Sequence, residues 1–195
     1  MRRRPNEPEP GNTGGGKIVN ETKFNLRFPT RILAEATIFI ALTIVLKDVL
    51  PPIYRLPQGG SVTIAGLVPL IWFAMRRGVK YGLFAGLTYG LINAILPGSY
   101  IIHPLQGLLD YPLAFAALGL AGVAKGRNPV FGVAVGIVGR FLCSFAAGVI
   151  FFTALSIDGL WASALYNGTY LIPEFGITAV VMYVLLRRRL LNIYL

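Results

Sequence analysis

The chain has 195 residues, the length of one domain, yet 55% are hydrophobic and only 13% charged, with a mean hydropathy of +0.65. This composition excludes an ordinary soluble domain and reads as an integral membrane protein. A formal charge of +10 would suit a nucleic-acid binder. However, the basic residues fall in the tails and in short connections between apolar stretches, a pattern of membrane topology and not of a phosphate-binding face.

The first stretch, residues 1–29, is polar and basic, has Gly14, Gly15 and Gly16 in a row, and lacks the apolar core of a cleavable signal peptide. It is expected to be a disordered tail. A membrane span needs about twenty mostly apolar residues, and six segments qualify, near 31–50, 61–76, 79–96, 104–124, 129–155 and 163–187. The expected fold is therefore an all-α membrane protein with six transmembrane helices over residues 30–189, followed by a short tail at 190–195. All but three of the 18 Lys and Arg residues then fall on one side, the exceptions being Lys47, Arg55 and Arg140. The positive-inside rule makes that side cytoplasmic and places both termini there, giving a multi-pass protein of the cell membrane.

In chain order, the first span carries Thr37 and Ala41 four residues apart, a spacing of small residues that lets a partner helix approach closely. Glu35, near its inner end, is expected to reach the interface or pair with an arginine such as Arg31. The outer connection that follows, LPPIYRLPQGGSV, holds three prolines and two glycines. It reads as a stiff, turned loop, either a plain connector or a cover over a site. Arg76, Arg77 and Lys80 break the next apolar run into two short spans. In the third span Gly82, Gly86 and Gly90 form one stripe, expected to be a helix contact.

The most informative stretch is LPGSYIIHPLQGLLDYPLAF, residues 96–115, which places Tyr100, His103, Gln106, Asp110 and Tyr111 among apolar neighbours. With a helix starting at Pro104, a position where proline is tolerated, Gln106 and Asp110 share a face. A carboxylate inside a membrane is costly and marks a site with a partner. Arg140 is one possible partner, but helix rise puts it roughly a turn or two deeper than Asp110, so a cationic ligand is the other. Tyr100 reads either as an interfacial aromatic or as part of the site. Farther along, Gly148 and Phe152 suit close approach to a flat ligand, and Asn167, Tyr170 and Glu174 form a second polar stripe on the sixth span, where Pro173 is expected to kink the helix.

The two stripes descend from the same outer face and are expected to bound one pocket for an aromatic, cationic, hydrogen-bonding small molecule. A single His and a single Cys provide no metal cluster. There is no nucleophile, base and acid arrangement and no phosphate-binding loop, so neither an enzyme nor a cofactor is expected. A standalone proton-coupled carrier using Asp110 and Glu174 as relay groups remains open from the residues alone.

LPQGGSV, RRGVKYGLFAGLTYG, HPLQGLLDYPLAFAALGLAG and YNGTYLIPE together resemble the thiamine-binding S component of energy-coupling factor (ECF) vitamin transporters, over about Thr30 to Leu186. The resemblance implies a substrate-binding subunit that captures thiamine or a related cationic vitamin outside the cell. It also implies docking through the first helix onto a transmembrane T component coupled to two ATP-binding subunits. By the same resemblance Asp110 is the acidic contact, Tyr100 and Tyr111 are aromatic contacts, Asn167 is an amide contact and Gly148 lies beside the ligand. Ser144, Phe152 and Ala162 depart from the residues expected in some relatives, namely His, Trp and Tyr.

Overall fold

The computed structural model describes residues 29–126, 128–153 and 155–187; the expected N-terminal tail, apart from Pro29, and the tail at 190–195 lie outside them. Helix α1 (Thr30–Ile44) runs on into a wider π-helical turn, Val45–Val49. It stops at Leu50, whose backbone is extended (ψ 145), because a residue followed by proline is disfavoured in the helical region and Pro51 comes next. The proline-rich stretch then forms a small antiparallel hairpin, β1 (Tyr54–Arg55) with β2 (Ser61–Val62), in which Tyr54 faces Val62 and Arg55 faces Ser61. Gly59 turns this hairpin at φ +94°, a left-handed conformation open to glycine and costly for other residues.

Helix α2 (Val68–Arg77) has only 10 residues, about 15 Å, half the hydrocarbon thickness. This corrects the expected span at 61–76: residues 61–62 are strand, and the apolar character of 67–75 serves burial inside the protein, with Leu67, Ile71, Phe73 and Ala74 fully enclosed. Gly78 (φ +92°) makes the turn into α3 (Val79–Ile95). The fourth segment, Pro104–Ala124, changes pitch along its length. It begins as α4 (Pro104–Leu108), widens into a π turn (Leu109–Leu113), continues as α5 (Ala114–Ala117) and tightens into a 3₁₀ stretch (Leu118–Ala124). Helix α6 (Pro129–Ala147) ends in another π turn (Gly148–Phe152). Helix α7 (Ile157–Arg187) continues through Pro173 and starts six residues earlier than expected.

The protein is thus an all-α membrane protein, with six helical segments among the described residues. Among the described residues, three are long and apolar enough to cross a bilayer on their own: Pro104–Ala124, Pro129–Phe152 and Ile157–Leu186. Ile38, Val138, Ile172 and Val180 are exposed on the bundle's outer surface, where hydrocarbon replaces water as the solvent. At the basic end, Glu35 accepts hydrogen bonds from Arg77 Nε at 2.7 Å and from Arg77 Nη2. Arg76 and Arg31 lie 3.7 and 3.6 Å from the same carboxylate. The expected partner Arg31 is therefore joined by two arginines that tie α1 to the end of α2.

The glycine stripe of α3 packs directly on the fourth segment. A Cβ on Gly86 would lie 2.2 Å from the Phe115 carbonyl oxygen, and one on Gly90 would lie 2.5 Å from that of Tyr111. Backbone meets backbone here, which only small residues permit. Gly86→Ala is expected to destabilise the fold by about 1–3 kcal/mol through overpacking, seen as a lower melting temperature in detergent; an unchanged melting temperature would contradict this packing.

Candidate functional site

Asp110 owes its position to local sequence. His103 caps α4, its Nδ1 accepting from the Leu105 N–H at 3.2 Å, and Pro104 occupies the first helical turn. One turn on, Gln106 is buried and its amide is fully used. Its Nε2 donates to Asp110 Oδ2 at 2.6 Å and to the Tyr100 carbonyl at 3.2 Å, while its Oε1 accepts from the Ile102 N–H at 3.2 Å. Gln106 therefore orients the carboxylate. Pro112 has no N–H to offer the preceding turn, and the helix opens there into the π turn that carries Asp110 and Tyr111.

These residues face a cavity of about 320 Å³, within the range of small-molecule sites. Arg140, Ser144, Gly148 and Phe152 line it at four-residue spacing along α6 and its π turn. Opposite them, α7 contributes Ala162, Ser163, Tyr166, Asn167 and Tyr170. The Tyr170 hydroxyl donates to Asn167 Oδ1 at 2.9 Å, and Asn167 Nδ2 donates to the Ser163 carbonyl at 3.0 Å. Lys47 and Asn93 enter from α1 and α3, and Gln58, Gly59 and Gly60 enter from the hairpin. The proline-rich loop is thus a cover as well as a connector, fastened where the Gly60 N–H donates to the Tyr166 hydroxyl at 3.2 Å.

Of the residues singled out from sequence, Asp110, Tyr111, Gly148, Phe152, Asn167 and Tyr170 line this cavity. Tyr100, His103 and Gln106 lie outside the lining and brace its outer rim. The Tyr100 ring lies 6.0 Å from that of Phe152, and His103 stacks on Phe151 at 5.1 Å. The Tyr100 N–H donates to the Tyr111 hydroxyl at 2.6 Å. Gly148 has a packing duty too, because a Cβ there would come within 2.1 Å of Ser163 Oγ. The three departures, Ser144, Phe152 and Ala162, all face the cavity. Thr37 and Ala41 are exposed on α1 and lie outside the lining.

The charges are arranged in two groups. Asp110 makes no ion pair with a described residue; the Ser144 hydroxyl stands beside it and Arg140 is within electrostatic reach. Arg140 pairs instead with Glu174, at 3.6 Å, and its guanidinium lies 4.4 Å from the Phe115 ring centroid. Glu174 also accepts from Thr63 Oγ1 at 2.7 Å. Lys47, read from sequence as an outer-end charge, is instead 7% exposed and donates to Ser61 Oγ at 3.2 Å. Asp48 accepts from the Tyr89 hydroxyl at 2.8 Å and from Asn93 Nδ2 at 2.9 Å. Two cations, Lys47 and Arg140, thus sit among three carboxylates, Asp48, Asp110 and Glu174.

Three π turns supply Lys47, Asp110, Tyr111, Gly148 and Phe152, and such turns are frequent at functional sites. No group of His, Cys, Asp and Glu that could hold a metal ion occurs among the described residues. A multi-pass membrane bundle with a polar, aromatic cavity of this size defines the class: a membrane protein that binds a small solute. Over residues 33–193 the chain matches the thiamine transporter protein family, and it belongs to that family, one of transport proteins of the plasma membrane and not of enzymes.

It is similar to the thiamine transporter ThiT of Bacillus subtilis, 34% identical over 168 residues covering 77% of this chain and 87% of the relative. It is also similar to ThiT of Lacticaseibacillus paracasei, 33% identical over 142 residues, 62% of this chain and 71% of the relative. Among solved structures, ThiT from Listeria monocytogenes superposes with a TM-score of 0.71 at 25% identity, covering 82% of this chain and 94% of that one.

Proposed function

We propose that the protein captures thiamine at this cavity and serves as the S component of an ECF transporter, the substrate-binding subunit of an ATP-driven importer. The observation that carries the reading is Asp110, a carboxylate lining the cavity, aimed by Gln106 and without an ion pair among the described residues. A carboxylate half-buried within a membrane protein calls for a cation, and the thiazolium ring of thiamine is one. The charge count agrees: Lys47 and Arg140 against Asp48, Asp110 and Glu174 leave one negative charge, which a monocation neutralises. Phe152, Tyr111 and Tyr166 supply ring surfaces for a flat guest.

Import against a gradient needs an energy source, and the sequence holds no phosphate-binding loop. A transmembrane T component and two ATP-binding subunits would supply it. The exposed face of α1, with Thr37, Ile38, Ala41 and Leu42, fits such a partner helix, because its small residues allow close approach. Titration of the detergent-purified protein with thiamine by calorimetry is expected to give saturable one-to-one binding that other vitamins do not outcompete. Absence of binding, or preference for another vitamin, would overturn the assignment.

A further inference from the structure

Lys47 carries an unusual burden for a membrane protein. Its ammonium has three donor hydrogens, and among the described residues one is used, on Ser61 Oγ at 3.2 Å. The carboxylates within its electrostatic reach are Glu174 and Asp48; Asp48 accepts from Tyr89 and Asn93, and Glu174 accepts from Thr63 on Oε1 and turns Oε2, which accepts no hydrogen bond, toward Arg140. Neither forms an ion pair with Lys47. Beside it, Arg140 Nε and Nη1 are buried without a hydrogen-bond partner, and both side chains line the cavity. Unmet buried donors are costly, so this wall of the cavity is built to face an acceptor.

The geometry points to Lys47 as a specificity-determining residue that donates to an uncharged lone-pair acceptor on the ligand, outside the positive ring that Asp110 meets. This rests on the thiamine-capture reading. The two groups come from different elements, Asp110 from the fourth segment and Lys47 from the π turn that follows α1, with Arg140 in electrostatic reach of both. The acceptor is uncharged because one monocation already brings these five charges, three buried and two half-buried, to neutrality; an anionic group would leave an unbalanced charge in a medium of low dielectric constant. Thiamine offers such acceptors in the ring nitrogens of its aminopyrimidine and in its hydroxyl oxygen.

The test compares three ligands by calorimetry on the full chain in detergent: thiamine, an analogue with phenyl in place of the aminopyrimidine, and one with ethyl in place of the hydroxyethyl group. The unmodified protein is expected to bind one analogue about 10–100-fold more weakly than thiamine, the effect of leaving a buried donor unmet. Lys47→Met, which keeps length and removes the donors, is expected to bind thiamine and that analogue within about threefold of each other. Lys47→Arg, which keeps donors, retains the discrimination. A Lys47→Met protein that weakens all three ligands alike would show a merely structural lysine and overturn the inference. So would an unmodified protein that binds both analogues as tightly as thiamine, a result independent of whether the variant folds. Failure of the unmodified protein to bind thiamine removes the capture reading itself, which separates the two failures.

Discussion

Asp110→Asn is expected to weaken thiamine binding by a hundredfold or more, about 3 kcal/mol, because it removes the charge opposing a desolvated cation. The substitution preserves size, and the Asn oxygen still accepts from Gln106, so the melting temperature without thiamine is expected to hold within a few degrees. That combination separates loss of a binding charge from loss of fold. Calorimetric titration of the variant checks it, and affinity unchanged from the unmodified protein would remove the carboxylate from the site. Gln106→Ala should act in the same direction with a smaller effect, since it leaves the charge and loosens its aim.

Glu174→Ala is expected to produce the largest loss of stability. The side chain is 1% exposed and is the one ion-pair partner of Arg140 among the described residues. Its removal leaves a buried guanidinium uncompensated and strips Thr63 of its acceptor. Breaking a buried pair in this way costs about 3–5 kcal/mol, which corresponds to a drop of about 10 °C in melting temperature for a chain of this size. Removing both partners, in Glu174→Ala with Arg140→Met, is expected to restore much of the loss, because no lone charge then remains. Equal destabilisation by the single and double variants would show that the pair is not the source.

The apolar runs, the basic breaks and the two polar stripes were legible because each depends on local spacing. Gln106 and Asp110 do meet on one face of α4 and its π turn, Asn167 and Tyr170 do bond across one turn of α7, and the glycines of α3 do meet a neighbouring backbone. Residues 61–76 misled for a physical reason: hydropathy does not distinguish burial in lipid from burial in protein, and this segment is half strand and turn, half a short enclosed helix. Lys47 was hidden because a lysine at a helix end ordinarily snorkels to the interface, whereas here the hairpin folds over it. Arg140 was placed below Asp110 by counting helix rise. It does avoid an ion pair with that carboxylate, but it reaches the same cavity and finds Glu174, a partner that only the packing of α6 on α7 brings close.

The π turn at Leu109–Leu113 has a consequence for how the fourth segment tolerates change. An α-helix advances about 100° per residue, so one residue deleted there would rotate everything on one side of the turn by that amount against the other. Asp110, aimed by Gln106, would then face the cavity only if Phe115 and Ala116 lost their seat against Gly86, or the reverse. The wide turn acts as a phase shifter between a half that meets solute and a half that meets helix α3, each keeping its own register. Length variation in this segment is therefore expected to be tolerated after Ala124 and before Pro104, and rejected in the five residues between Leu109 and Leu113.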